Sequence, residues 1–499
     1  VLPQTPDYCL RTPDLCPIIP QEATLTNQHP YLLECRRTLW LAIPVVGSQL
    51  GMMSLGFVDT LMVGRLGPEA LAGVALGNTL FFFLAIVSVG MVNAVAPMVS
   101  QAFGAGDHEA VERTVFQGFV VGFLLAIPCT LILWNLGPFL RAIGQNPETV
   151  ALTEGYLRAI VWGFLPFLWF AALRSFVEGI SKPLPVTIIT MLGLGINILA
   201  NYTLMYGKWG FPELGIVGTG WASTIVYWFL FGNLLAYSRG ARPFRGFRLF
   251  GKRGRFDWPY FKELVRIGWP MGISHGVEAG LFSVTALLVG LLGTASLAAH
   301  QIALQCAAYT FMVPMGIGIA SSVRVGQETG RGQTEAARRA GFVGIGLAIL
   351  FMMVAAILFW VIPRQIIGLY IDTSAVENQE VVGIAVVLLG VAAVFQVFDG
   401  AQVAAAGALR GLKDTRIPMI ISVISYWVIG LSVGLLVGFT LDGGAVGLWW
   451  GLVVGLGLAA ILLSYRFWKI SSVPFSFEAT RGDGLSDTNS LKQADLSLE

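Results

Sequence analysis

Three carboxylates stand well inside long apolar runs of this sequence: Asp59, Glu278 and Asp399. An acid at the centre of a membrane helix costs about 2.5–3.5 kcal/mol on insertion scales, so three cost several kcal/mol before compensation. Chains rarely carry such groups without use. No Lys or Arg is visible at mid-span beside them, which suits the acids to binding cations better than to forming ion pairs. A Na+ site at Glu278 and Asp399 is one reading, and uptake of H+ is another. The bland alternative is a protonated acid hydrogen-bonded within the packing; Asp59, near the end of its run, could also reach the outer interface.

Polar side chains with helical spacing accompany the acids. His275 lies one turn before Glu278 and shares its face, as a packed or pore-lining histidine first and as a proton relay second. Asn197 and Asn201, four apart, can present two amides to one cavity or bond neighbouring helices, and Gln396, one turn before Asp399, is open to both readings. These four are the candidates for a substrate cavity. Enzyme signatures are missing: there is no GxxxxGK[ST] phosphate loop, no HExxH, no paired CxxC and no Ser, His and Asp set that sequence can group. The chain therefore reads as a non-enzyme without a cofactor, apart from a coupling Na+ or H+. Cys9, Cys16, Cys35, Cys129 and Cys306 show no metal spacing; free thiols are preferred over a Cys9–Cys16 bridge.

The elements that position these groups follow from composition. With 55% hydrophobic and 12% charged residues over 499 positions, the chain has too little polar surface for a water-soluble globule. Apolar runs fall at 38–62, 71–99, 115–138, 152–176, 184–206 and 215–238, then at 261–292, 296–323, 340–363, 381–409, 417–440 and 444–468. Each is long enough to cross a bilayer as a helix, and none alternates like a barrel strand. Pro44, Pro97, Pro128, Pro166, Pro270 and Pro314 lie inside these runs and can bend them. The expected fold is an all-α integral membrane protein of twelve transmembrane helices.

The twelve fall into two sets of six, and the second repeats the first. At an offset of 226, Pro44, Ser48, Gly64 and Gly67 match Pro270, Ser274, Gly290 and Gly293, and Gln101, Gly104, Glu109 and Arg113 match Gln327, Gly330, Glu335 and Arg339. The offset then drifts to 232, Gly179 with Gly411, and to 229, Trp221 with Trp450. An even number of spans per half relates the two six-helix lobes by a pseudo-two-fold axis along the membrane normal. The acids break the repeat: Asp59 faces Thr285 in the alignment, Glu278 faces Met52, and Asp399 faces Phe167. Doubling builds a scaffold, and its violation marks the site.

Of 31 Lys and Arg residues, only Arg65, Arg141, Arg158, Lys208 and Arg364 fall beside outer ends if both termini are inside, so both ends are expected to be cytoplasmic. The divisions read as a polar tail at 1–35, an N-lobe at 36–238, a basic cytoplasmic linker at 239–260, a C-lobe at 261–470 and a polar tail at 471–499. Arg239, Arg242, Arg245, Arg248, Lys252, Arg253 and Arg255 in the linker read as a topology signal touching anionic lipid headgroups rather than a nucleic-acid site. Residues 1–34 are Pro-rich and polar and hold no cleavable signal peptide.

Four stretches carry a family resemblance: PVVGSQLGMMSLGFVDTLMVGRLG at 44–67, NILANYTLMYG at 197–207, GISHGVEAGLFSVTALLVGLLGTASLAAHQIAL at 272–304 and FQVFDGAQVAAAGALRGLKDTRIP at 395–418. Over residues 32–468 the chain resembles the multidrug and toxic compound extrusion (MATE) transporters, in their NorM-like bacterial branch. The resemblance implies a two-lobed antiporter of the cell membrane that expels small organic cations and drugs in exchange for Na+ or H+. It places the family's cation-site Glu on Glu278, its partner Asp on Asp399, the acid of the first lobe on Asp59, and the two amides near it on Asn197 and Asn201. His275 and Gly276 depart from the pattern, where bulkier apolar or polar residues are expected, and the long N-terminal tail has no counterpart. A monomer in contact with membrane lipid is expected, with a lipid-linked sugar flippase, a channel and an intramembrane enzyme as rival readings.

Overall fold

Backbone amides in hydrocarbon have no water to bond, so each apolar run must close its hydrogen bonds internally as a helix. The structure is a computed structural model, and it describes residues 30–247 and 256–473. Its helical spans are α1 (Pro30–Leu66), α2 (Pro68–Gly104), α3 (His108–Trp134), α4 (Pro147–Gly179), α5 (Leu184–Tyr206) and α6 (Ile216–Gly240) in the first half. In the second half they are α7 (Trp258–Gly290), α8 (Thr294–Gly330), α9 (Thr334–Val361), α10 (Val376–Gly411), α11 (Arg416–Thr440) and α12 (Gly444–Ile470). No strand occurs among the described residues. Eleven of the twelve contain a stretch long and apolar enough to cross a membrane by length and composition. The twelfth, α6, is 25 residues long and carries Thr219, Ser223 and Thr224, all buried inside its lobe. Residues 1–29 and 474–499 of the expected tails, the Cys9 and Cys16 pair, and Arg248, Lys252, Arg253 and Arg255 lie outside the described residues, whereas residues 30–35 of the expected N-terminal tail open α1.

Prolines act in two ways. Pro44, Pro128, Pro270 and Pro314 sit inside continuous helices. Pro97 and Pro166 instead fall in the first turn of helical segments restarting after short breaks, at Val95 and at Phe164, where the missing N–H has no partner to lose.

The repeat is visible in the element bounds. Both ends of α2 and α8, and the starts of α3 and α9, are 226 residues apart. The halves meet where α1 packs on α8, where α7 packs on α2, and where α2 crosses α8. These contacts obey the same symmetry. A Cβ on Gly90 would lie 2.7 Å from Gly272 Cα, and one on Gly316 would lie 2.5 Å from a methyl of Val46, and each residue is the other pair's counterpart at 226. The lobes also exchange core. Leu264, Ile267 and Met271 of α7 join the buried cluster of the first half, while Leu41 and Ala42 of α1 pack with α8, α9, α10 and α12. Outward faces carry Leu131, Leu192, Ile357 and Ile461, all exposed, a surface that only lipid tails can cover.

At one end of the bundle the halves are clamped by a reciprocal pair of hydrogen bonds. Gln101 of α2 donates through Nε2 to the Gly411 carbonyl at the end of α10, 2.8 Å away. Gln327 of α8 donates to the Gly179 carbonyl at the end of α4, 2.9 Å away, and to Ser181 Oγ at 2.9 Å. Each bond satisfies a helix-terminal carbonyl that has no partner within its own helix. Beside them Arg324 of α8 grips Glu34 of α1 by two bonds of 2.8 and 3.0 Å and reaches Glu328 at 2.8 Å, all three groups buried. A fork of this kind is strong because it is charge-assisted and bidentate.

The α2–α8 crossing depends on bare backbone. A Cβ on Gly104 would fall 2.1 Å from the Gln327 carbonyl oxygen, and one on Gly330 would fall 2.1 Å from that of Gln101. Gly104→Ala and Gly330→Ala are each expected to destabilise the protein by about 1–3 kcal/mol through overpacking. Gly346→Ala, with open space around it, serves as the neutral control. Thermal unfolding in detergent checks this, and midpoints equal to that of Gly346→Ala would count against the close crossing.

Candidate functional site

In the first half the site is built by three helices converging on one acid. Asp59, on α1, accepts hydrogen bonds at Oδ1 from Asn197 Nδ2 at 2.9 Å and Asn201 Nδ2 at 2.6 Å, and at Oδ2 from Ser223 Oγ at 2.9 Å. The two amides belong to α5 and share a face because residues four apart on a helix stack. Ser223 comes from α6. The sequence reading offers Asn197 and Asn201 as lining for a substrate cavity; the structure turns both onto Asp59 and buries them to 1% and 0% exposure. Their carbonyl oxygens, Asn197 Oδ1 and Asn201 Oδ1, are buried without a hydrogen-bond partner. The donors are all neutral, so they stabilise negative charge on Asp59 without cancelling it. Tyr156 and Tyr227 are also within electrostatic reach of the acid. Ser223 escaped the sequence reading, although the polar residues that thin out the hydropathy of α6 were the signal.

In the second half Glu278, on α7, and Asp399, on α10, lie within electrostatic reach of each other and of Tyr426 on α11. Asp399 is 4% exposed, and its Oδ1 has no hydrogen-bond partner. Glu278 is half-buried and faces a cavity of about 20 Å³, with Ser274 and His275 from its own helix, Gln402 and Arg410 from α10, and Ser422 from α11. That volume holds about one water or one small ion. His275 donates from Nδ1 to the Met271 carbonyl at 3.0 Å. Gln396 does not line this cavity; it is fully buried, with Oε1 accepting from Thr310 Oγ1 at 3.0 Å and Nε2 without a partner.

Arg410 corrects the expectation that no basic group stands near the acids. It is half-buried, lines the Glu278 cavity and interacts electrostatically with Glu278. Arg410 stands 132 positions from Glu278 in the chain and one residue from the end of α10, so only the fold brings it to the Glu278 cavity. No ion pair or hydrogen bond joins it to Glu278 among the described residues, so the acid is faced by the guanidinium rather than capped by it.

What the two sites can do follows from their donor sets. Neither gathers three His, Cys, Asp or Glu side chains, and no such group exists among the described residues. A transition-metal centre has no support there. One or two carboxylates with amide and hydroxyl oxygens suit a monovalent cation or a proton.

A doubled bundle of twelve membrane helices, with its acids held inside each lobe, defines the class as a multi-span membrane carrier. The comparisons then narrow it. The MatE family model matches residues 44–203 and 270–436. The chain is 37% identical over 449 residues to the "Probable multidrug resistance protein NorM" of Brucella suis biovar 1, covering 90% of this chain and 95% of that one. It is 40% identical over 435 residues to the protein of the same description in Rhizobium meliloti, covering 87% and 93%. Its fold superposes on the crystal structure of a eukaryotic MATE transporter, AtDTX14, with a TM-score of 0.79 at 22% identity, covering 88% of this chain and 96% of that one. This chain belongs to the MatE family of membrane transporters and resembles its NorM-like members.

The Asp59 cluster makes a measurable statement about stability. In a double-mutant cycle of Asp59→Asn with Asn201→Ala, the two substitutions are expected to couple by about 1 kcal/mol in thermal unfolding, within the range for contacting polar pairs. Strict additivity would mean that the 2.6 Å bond carries no weight.

Proposed function

We propose that this protein is a secondary active exporter of organic cations and drugs, driven by inward movement of Na+ or H+ through alternating access. The observation that carries the reading is the imbalance of charge in the second lobe, where Glu278 and Asp399 lie within electrostatic reach of each other and, of the two, only Glu278 is met by Arg410. With both acids ionised that leaves one negative charge in an apolar setting, to be met by a coupling cation or by a cationic substrate. Asp59, bonded only by neutral donors, offers a second place for a proton or a cation. The relatives' descriptions as multidrug resistance proteins support the substrate class. The basic residues between the halves and beside one set of helix ends support a bacterial plasma-membrane orientation with both termini inside. A monomer suffices, because both lobes and their acids lie on one chain.

A lipid-linked sugar flippase of related architecture fits less well. Its pyrophosphate needs several basic groups and room, whereas one guanidinium opposite a carboxylate in about 20 Å³ supplies neither. The driving force for export is ample. One charge crossing 100 mV gains about 2.3 kcal/mol, enough for a gradient of roughly 50-fold in a monovalent substrate.

Efflux of a cationic dye from vesicles holding the full chain tests the proposal, with a Na+ gradient and a pH gradient imposed separately. At least one gradient is expected to drive uphill efflux, and the Glu278→Gln, Asp399→Asn double variant is expected to lose ten-fold or more of the rate. Efflux unchanged in the double variant would reject the role of these acids.

A further inference from the structure

Arg410 is unaccounted for by cation exchange at the acids alone. It sits on the last turn of α10, and the carbonyl of the next residue, Gly411, is held from the other half by Gln101. Its guanidinium lines the same cavity as Glu278, yet neither side chain makes an ion pair or hydrogen bond among the described residues. Two other arginines behave differently: Arg324 pairs with Glu34 and Glu328, and Arg174 pairs with Glu178 at 2.9 Å. The repeat sharpens the contrast, because at the local offset of 232 the counterpart of Arg410 is Glu178 itself. The first half thus places no guanidinium opposite Asp59, whose partners are two amides and a hydroxyl.

A carboxylate and a guanidinium that face each other across space for about one small ion are two ends of a competition. We propose that Arg410 is the tethered counter-cation of the second-lobe site, pairing with Glu278 when the coupling cation departs and withdrawing when one arrives. This rests on the reading that Glu278 and Asp399 take the coupling cation. Three consequences follow. The emptied site keeps a paired acid and can reorient without an uncompensated charge. A guanidinium arriving at Glu278 repels the bound cation, so the two positive groups exclude each other from the acid. Because Gln101 holds the turn that carries Arg410, opening the reciprocal clamp frees that turn and links displacement to the movement of the lobes. The other groups facing Glu278 are His275 on its own helix, Asp399 on α10 and Tyr426 on α11, and none of them supplies a fixed positive charge.

The test is equilibrium binding of Na+, and of H+ by titration, to the purified full chain, read by intrinsic tryptophan fluorescence and paired with dye efflux in proteoliposomes. Arg410→Gln is expected to lower the half-saturating concentration of the coupling cation ten-fold or more while slowing efflux at saturation at least five-fold, since the cation is held and not displaced. Arg410→Lys, which keeps the charge on a shorter and less planar reach, is expected to lower it about three-fold. A role confined to packing would reduce stability or rate and leave half-saturation where it was, and that result overturns the proposal. Should Arg410→Gln not accumulate, the Arg410→Lys value decides, with an unchanged half-saturation again contradicting competition. If the wild type binds the cation but neither gradient drives efflux, the transport reading fails while the binding comparison still judges Arg410.

Discussion

Negative charge in a medium of low polarity has to be answered by something, and in this molecule the fixed groups answer it only in part. Asp59 receives two amide N–H groups and a hydroxyl, which stabilise an anion without neutralising it. Glu278 feels the field of one guanidinium, and Asp399 that of Glu278. Elsewhere the chain pairs its buried charges closely, as Glu34, Arg324 and Glu328 show. The shortfall at these two lobe interiors is what a mobile cation would fill.

The scaffold around those sites is symmetric while the sites are not. Gln101 and Gln327 make matching bonds to Gly411 and Gly179, and Gly104 and Gly330 bring the α2 and α8 backbones together to the same closeness. A doubled frame has two equivalent sets of contacts that can open or close together, which favours discrete arrangements over gradual deformation. Asp59, Glu278, Asp399 and Arg410 all lack like-charged counterparts, so the halves hold charge by different means. The first relies on neutral donors, and the second sets acid against base across a cavity.

Much of this was legible in the residues. Burial of an acid in lipid is costly enough that Asp59, Glu278 and Asp399 stood out, and helical spacing grouped His275 with Glu278; it also set Gln396 beside Asp399, but Gln396 turns to Thr310 and does not line the Glu278 cavity. The 226-residue offset foretold which helix ends would match. Three things were hidden, each for a physical reason. Arg410 is remote from Glu278 in the chain, and only the fold brings the two to one cavity. Ser223 is a single hydroxyl among several on α6, and only the fold shows that it reaches Asp59 while Thr224 bonds the Ala159 carbonyl. The exchange of α1 and α7 starts between the lobe cores comes from contacts as remote in the chain as Gly90 with Gly272 and Val46 with Gly316, which no local pattern encodes.

The central claim is that the unneutralised acids hold a cation that a bound drug displaces. The most direct measurement is the charge released when a permanent organic cation, such as tetraphenylphosphonium, binds the solubilised protein in weakly buffered, Na+-controlled solution. The account expects close to one H+ or Na+ set free for each dye bound, and expects that release to vanish when Glu278 and Asp399 are both made neutral. Stoichiometric dye binding with no cation released from the wild type would contradict it.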